Sequence, residues 1–165
     1  MEVDYIKIIE YDSKYEEDAK DLLVELEEYI VSIDEDELDQ VGERYREEYL
    51  GILLDNMAMK QGKVYLAIED GRAIGLVAGS IKEWEYADHL DYKCPKTGVV
   101  EELIVTARVR ALGIGKELLK RIEQYFIEKG CEYSDIDVFA YNKNAINFYG
   151  RNEYHARMHT LIKKL

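Results

Sequence analysis

An apolar run, Leu103-Ile104-Val105, leads through a short loop into Arg110-Ala111-Leu112-Gly113-Ile114-Gly115-Lys116, and then into apolar residues at helical spacing, Leu118, Leu119, Ile122, Tyr125 and Phe126. A strand that turns through two glycines into a helix fixes one corner of any fold it belongs to. It leaves the first amides of that helix without partners, at the positive end of the helix dipole, where an anion is favoured. Spacing narrows which anion. A P-loop requires Gly-x-x-x-x-Gly-Lys-[Ser/Thr], but Lys116 is followed by Glu117 and no glycine lies four residues ahead of Gly115. A dinucleotide fingerprint requires Gly-x-Gly-x-x-Gly, and the third position is Leu118. What is left is Arg-x-x-Gly-x-Gly, in which an arginine and glycine-flanked amides embrace a pyrophosphate. Two glycines alone would serve a closely packed helix start equally well.

Charge supports the anion reading. The 165 residues carry a net charge of −13, yet residues 1–48 hold 19 acidic against 5 basic side chains, so the acid is concentrated at the front. From 106 to 121 the balance reverses, with Arg108, Arg110, Lys116, Lys120 and Arg121 against Glu117. The one basic patch coincides with the glycine turn. A chain this acidic lacks the basic stripe a nucleic-acid backbone needs, so nucleic acid is not expected as a partner. There is no eighteen-residue apolar run and no leader-like start in Met1-Glu2-Val3-Asp4, which points to a cytoplasmic protein without membrane attachment. Cys94 and Cys131 have no partnering spacing and no adjacent histidine, so neither a disulfide nor a metal site is expected.

The pattern predicts one domain over residues 1–165. A first strand covers 3–10. Ser13 and Glu16 form a capping box for a helix with Ala19, Leu22, Leu23, Leu26, Tyr29 and Ile30 inward. After the acidic break at 34–39, a second helix turns Tyr45, Tyr49, Ile52, Leu53 and Met57 inward and ends near Gly62. Strands over 63–69 and 72–83 join through Asp70-Gly71, a strong hairpin signal. A polar loop, 87–96, precedes a strand over 98–105 and the helix that stops at Gly130. A strand over 133–140, a helix over 144–151 and a last strand over 155–164 complete an α/β fold with a mixed, mostly antiparallel sheet flanked by helices.

With its neighbours, the glycine turn resembles the acyl-CoA site of the GCN5-related N-acetyltransferases, the GNAT family. That family's strand ends Glu-[Asp/Glu]-Leu-x-Val and is followed by [Gln/Arg]-x-x-Gly-x-[Gly/Ala]. Here Glu101-Glu102-Leu103-Ile104-Val105 precedes Arg110 to Gly115, and a second motif, Asn-x-x-Ala-x-x-Phe-Tyr, stands at Asn142, Ala145, Phe148 and Tyr149. The resemblance runs from about Val64 to Tyr154. A proline in the loop after the strand and a Gly-Phe pair after the last helix, common in the family, are replaced by Thr106-Ala107-Arg108 and Asn152-Glu153-Tyr154.

The resemblance implies an acetyl-CoA-dependent N-acetyltransferase that needs no metal and transfers acetyl to a small-molecule or protein amine in a ternary complex. It implies that the backbone of Leu103, Ile104 and Val105 pairs with pantetheine. Arg110, Ala111, Leu112, Gly113, Ile114, Gly115 and Lys116 would bind the pyrophosphate largely through main chain, with side-chain freedom at Ala111, Leu112 and Ile114. Asn142, Ala145 and Tyr149 would complete the cofactor site. An alkyl ammonium must lose a proton before it attacks, and Glu101 or Glu102 is placed to take it, directly or through water, with Glu101 narrowly favoured by alternation unless a bulge intervenes. The resemblance places Tyr149 where the family commonly has a tyrosine near the sulfur, which would make it the donor to the departing thiolate. His89, His155 and His159 fall in no family motif. The acidic front favours a cationic acceptor, such as a polyamine, an aminoglycoside or a basic side chain, although two solvated helices would also account for it. A homodimer stays open, as does a non-catalytic acyl-CoA-binding or interaction module on the same fold.

Overall fold

The structure of the protein, a computed structural model, describes residues 6–110 and 112–165. Among the described residues five strands, β1 (Lys7–Glu10), β2 (Lys63–Glu69), β3 (Arg72–Ile81), β4 (Thr97–Val105) and β5 (Tyr133–Asp135), lie in one sheet in chain order. The first four are antiparallel and β5 runs parallel to β4. The helices are α1 (Glu16–Ile33), α2 (Tyr45–Met59), α3 (Ile114–Glu128) and α4 (Lys143–Arg151). α1 and α2 bury Ala19, Leu22, Leu23, Leu50, Leu53 and Met57 against one face of the sheet. On the other face α3 contributes Ile114, Leu118, Leu119, Ile122, Tyr125 and Phe126, joined by Tyr149 of α4. β2 and β3, covered on both faces, are therefore buried along nearly their whole length. α3 lies close because Gly98 and Gly79 carry no Cβ: one added at Gly98 would stand 2.2 Å from the Phe126 ring.

Several expectations shift in detail. Helix α1 does not start from a Ser13 capping box; Asp12 accepts from the Lys14 amide at 3.0 Å, a 3-10 turn covers Ser13–Tyr15, and α1 follows directly. In α2, Ile52 points outward and Leu50 takes the inward place. The strand expected over 133–140 stops at Asp135, and residues 155–165 join no strand although they alternate like one. Alternation supplies a face, but a strand also needs a ladder partner, and past Asp135 none is found among the described residues. Residues 3–5 of the expected first strand lie outside the described residues.

Candidate active site

Strand β4 is where the site is made. Along one edge it pairs with β3 from Gly98 to Val105; along the other it pairs with β5 only at Thr97, Val99 and the residue between. From Val100 onward the outer edge of β4, including Leu103, Ile104 and Val105, has no ladder partner among the described residues, so the amides and carbonyls that point along that edge, apart from the Val105 carbonyl that Arg110 holds, are available to an extended ligand. The register of β4 with β3 slips between Ala78 and Gly79, where Glu102 faces Ala78 and Val100 faces Gly79, leaving Glu101 as the extra residue of a bulge. The bulge reverses the alternation. Val100 packs with α3, whereas Ile104, four residues on, packs with α1 and α2.

Glu101 and Glu102 consequently meet different surroundings. Glu101 is exposed and accepts from Ser80 Oγ at 2.6 Å. Glu102 turns under α2, where the Tyr49 hydroxyl donates to its carboxylate and Tyr45 stacks on Tyr49 with ring centroids 4.6 Å apart. Burial, resisted by the Tyr49 hydrogen bond and aided by the charges of Glu27 and Glu101, pushes the Glu102 carboxyl up to about 7. Burial and the charge of Glu102 raise the Tyr49 and Tyr45 phenols well above their ordinary value. Among the described residues no lysine, arginine or histidine pairs with Glu102.

Tyr149 approaches from the other face. Its ring is held edge-on by Phe148 and Tyr154, at 5.1 and 5.5 Å between centroids, and only 8% of the residue is exposed. Tyr154 is itself fixed by Ser134 and Glu123. The Tyr149 hydroxyl makes no hydrogen bond among the described residues. Burial first, and then the charge of Glu102, raises its pKa strongly, so the phenol is protonated across the neutral range and lies within electrostatic reach of that carboxylate at the open edge of β4.

The glycine turn forms as the spacing implies. Gly113 takes a left-handed conformation, φ 82°, at the entry to α3, where no side chain caps the helix, so the first-turn amides at Ile114, Gly115 and Lys116 have no partner among the described residues. Lys116 is exposed and makes no ion pair among the described residues. A Cβ at Gly115 would touch the Phe148 ring at 3.6 Å, ordinary contact that alanine would also tolerate. Leu112 is exposed, but Ile114 is 4% exposed and part of the core, so the side-chain freedom expected there does not exist. Ala111 lies outside the described residues. Arg110 reaches back: Nε donates to the Val105 carbonyl at 3.0 Å, and the guanidinium lies 3.6 Å from Glu25 and over the Tyr29 ring. Asn142 caps α4 through the Ala145 amide at 3.1 Å and accepts from Tyr29. Ala145 packs beside Tyr149 in the same cluster.

Tyr49, Tyr45 and Glu27 escaped the sequence reading as site residues. The tyrosines read as the inward face of a helix, which they are; that the inward face ends over a carboxylate is set by the bulge, which has no local signature.

An open strand edge, a glycine-initiated helix with free amides and a capped α4 carrying a tyrosine are the frame of an acyltransferase. The sequence profile of the Acetyltransferase (GNAT) family matches residues 24–154, and the chain belongs to that family. An uncharacterized N-acetyltransferase of Methanocaldococcus jannaschii is 32% identical over 127 residues, 73% of this chain and 74% of the relative. The fold is shared with a mutant of the BH1408 protein from Bacillus halodurans, at a TM-score of 0.80 and 17% identity over 96% of this chain and 99% of that one. It is shared too with glucosamine-6-phosphate N-acetyltransferase from Arabidopsis thaliana, at a TM-score of 0.68 and 17% identity over 97% and 98% of the two chains. Among the described residues no helix is long and apolar enough to cross a membrane.

Proposed function

We propose that this protein transfers acetyl from acetyl-CoA to a primary amine of cationic character, with Glu102 as the base and Tyr149 as the donor to the leaving sulfur. One observation carries the reading: a carboxyl pushed up to about 7 and a hydroxyl without a partner lie within electrostatic reach of each other at the unpaired edge of β4. The donor thioester supplies an activated carbonyl. The edge of β4 at Leu103, Ile104 and Val105 suits the amides of its pantetheine arm. The free amides of α3, with Lys116 beside them, suit its pyrophosphate. Asn142 caps α4 and ties it to Tyr29 of α1, and Ala145 packs beside Tyr149 in the same cluster. Arg110 is tied to Val105 and Glu25 and joins the phosphate site by exchanging those bonds.

The preference between the two glutamates moves to Glu102. An amine near pKa 10 gives its proton to Glu102 at a cost about 3 kcal/mol lower than to an ordinary carboxylate at 4.5. The neutral nitrogen attacks the thioester carbon, a C–N bond forms, and the C–S bond breaks as the intermediate collapses. Tyr149 donates a hydrogen bond to the sulfur that departs. Because its phenol holds its proton tightly, the role is stabilisation of the thiolate rather than full transfer, and the thiol gains its proton from solvent in place of the one Glu102 accepted. A cytoplasmic setting agrees with the two free thiols, Cys94 and Cys131.

A panel of amines assayed with acetyl-CoA for thiol release tests the function. Turnover with cationic amines is expected, and activity confined to neutral or acidic acceptors would remove cationic selection. Tyr149→Phe is expected to lower kcat by about 10- to 100-fold while acetyl-CoA binding by calorimetry is retained. Equal turnover in wild type and variant would take Tyr149 out of the mechanism.

A further inference from the structure

Helix α1 packs on the opposite face of the sheet from α3 and α4, yet side chains along one stripe of it reach the loop that leads into α3 and the cap of α4. Asp18, Leu22, Glu25 and Tyr29, spaced by four, three and four residues, share that stripe. Leu22 is buried, and the three polar members each hold a group from another element. Asp18 accepts from the Ala73 amide at 2.9 Å, at the start of β3. Glu25 Oε1 accepts from the Ala107 amide at 2.7 Å and lies 3.6 Å from the Arg110 guanidinium. That guanidinium lies over the Tyr29 ring, 5.7 Å from its centroid. The Tyr29 hydroxyl donates to Asn142 Oδ1 at 3.3 Å and accepts from Asn144 Nδ2 at 3.5 Å.

These contacts fall where packing is thin. No residue from 106 to 110 is buried, and Val109 packs only partly on the α3 side. Thr106 and Arg108 line a cavity of about 210 Å³ whose facing wall includes Asp18, Asp21, Leu22 and Glu25. A loop with open space behind it is held by its point contacts, and this loop is the one that enters the glycine turn. Arg110 is held with it. Its Nε donates to the Val105 carbonyl at 3.0 Å, so the arginine suited to a pyrophosphate rests on the end of β4, between Glu25 and Tyr29.

We propose that Glu25 and Tyr29 are positioning residues of the donor site. Glu25 anchors the loop through Ala107 and holds Arg110 on the Val105 carbonyl until a pyrophosphate takes the arginine over. Tyr29 supports the guanidinium on its ring and fixes Asn142, and through that cap α4 and Tyr149. Neither residue touches the reacting atoms. This rests on the acyl-CoA reading of the glycine turn and deepens it: a diphosphate competes with a carboxylate of the protein itself for one arginine. The two roles of Glu25 oppose each other, and substitution separates them. In Glu25→Gln the side-chain oxygen still accepts from Ala107 while the charge that holds Arg110 is gone; in Glu25→Ala both are lost.

The test measures acetyl-CoA binding by calorimetry, and kcat and KM for acetylation of an amine, in wild type, Glu25→Gln, Glu25→Ala and Tyr29→Phe. Arg110→Met, with and without Glu25→Gln, completes a double-mutant cycle. The Arg110–Glu25 pair is partly exposed, so Glu25→Gln is expected to tighten acetyl-CoA binding by about two- to fivefold at low salt, less at high salt, and not at all in the Arg110→Met background. Glu25→Ala, without the Ala107 anchor, is expected to bind about fivefold or more weaker than Glu25→Gln. Tyr29→Phe keeps the ring and loses the Asn142 bond; kcat is expected to fall about three- to tenfold with acetyl-CoA binding within about twofold of wild type. A merely structural role would lower Tm in all three variants and weaken binding in each. A gain in Glu25→Gln that persists without Arg110, or no gain at all, would overturn the hold on Arg110, and an unchanged kcat in Tyr29→Phe would overturn the tie to α4. Turnover with none of these shifts would overturn the proposal and leave acetyl transfer standing. The opposed shifts in binding at Glu25, without acetylation of any amine, would support the hold on Arg110 and overturn the transfer reading. A wild type that binds no acetyl-CoA would overturn both.

Discussion

A carboxyl held near 7 is half charged at neutral pH, and at Glu102 two opposing groups set that balance. Burial and the neighbouring Glu27 favour the neutral acid, while the Tyr49 hydroxyl favours the carboxylate. Tyr49→Phe removes the one contribution that favours the charge. The acid limb of kcat/KM against pH is expected to move upward in that variant, with modest loss at pH 9 and larger loss at pH 7; an unmoved limb would show that the hydrogen bond does not tune the base. Tyr49 is thus a positioning residue, distinguished by a pH profile rather than by loss of activity. Tyr149 works the other way. Its phenol is donor-competent at every pH the enzyme meets, so its contribution leaves no limb of its own in the neutral range.

At the level of elements, β4 and α3 act as one unit. The strand carries Glu102 and the open edge, the helix begins at the glycine turn, and Phe126 packed onto Gly98 sets their distance. Gly98→Ala places a methyl inside the space of that ring and is expected to cost about 1 to 3 kcal/mol in denaturant unfolding. A variant as stable as wild type would mean that α3 can shift without consequence. Most of these elements were legible in the sequence, because the helices carry strong apolar periodicity, Asp70-Gly71 marks the hairpin, and Asn142 stands where a cap must. The glycine turn was legible for the same reason: backbone requirements leave residue-level signatures. Which of Glu101 and Glu102 turns under α2 was not, because the bulge depends on the register of β4 against β3, a pairing of distant segments. The strand expected over 155–164 alternates as strands do, but alternation is silent on whether a partner edge exists. Tyr45 and Tyr49 looked like core because, apart from what their hydroxyls touch, they are.

The charge asymmetry of the whole molecule makes its stability depend on pH in an unusual direction. For Glu102 the folded state holds its proton up to about 7 while the unfolded chain releases it near 4.5, so the folded state binds more protons between those values. Stability from this group is therefore full below 4.5, falls as pH rises to about 7 and is level above, a loss of about 3 kcal/mol at most before partial exposure reduces it. Glu27 and Asp39 push the same way, and the lowered Asp18 and Asp34 oppose them only at the acid end. The ligand-free protein is expected to lose Tm between pH 5 and pH 8, and a Tm that rises across that interval would argue against a buried, unpaired Glu102. The most direct test of the whole account is the pH dependence of kcat/KM for a cationic amine at saturating acetyl-CoA, in wild type and Glu102→Gln. The expected result is a wild-type acid limb near pH 7 that disappears in the variant, with activity about 100-fold lower on the plateau and a Tm at pH 8 at or above wild type. A variant that keeps both the limb and the rate would contradict Glu102 as the base and the site built around it.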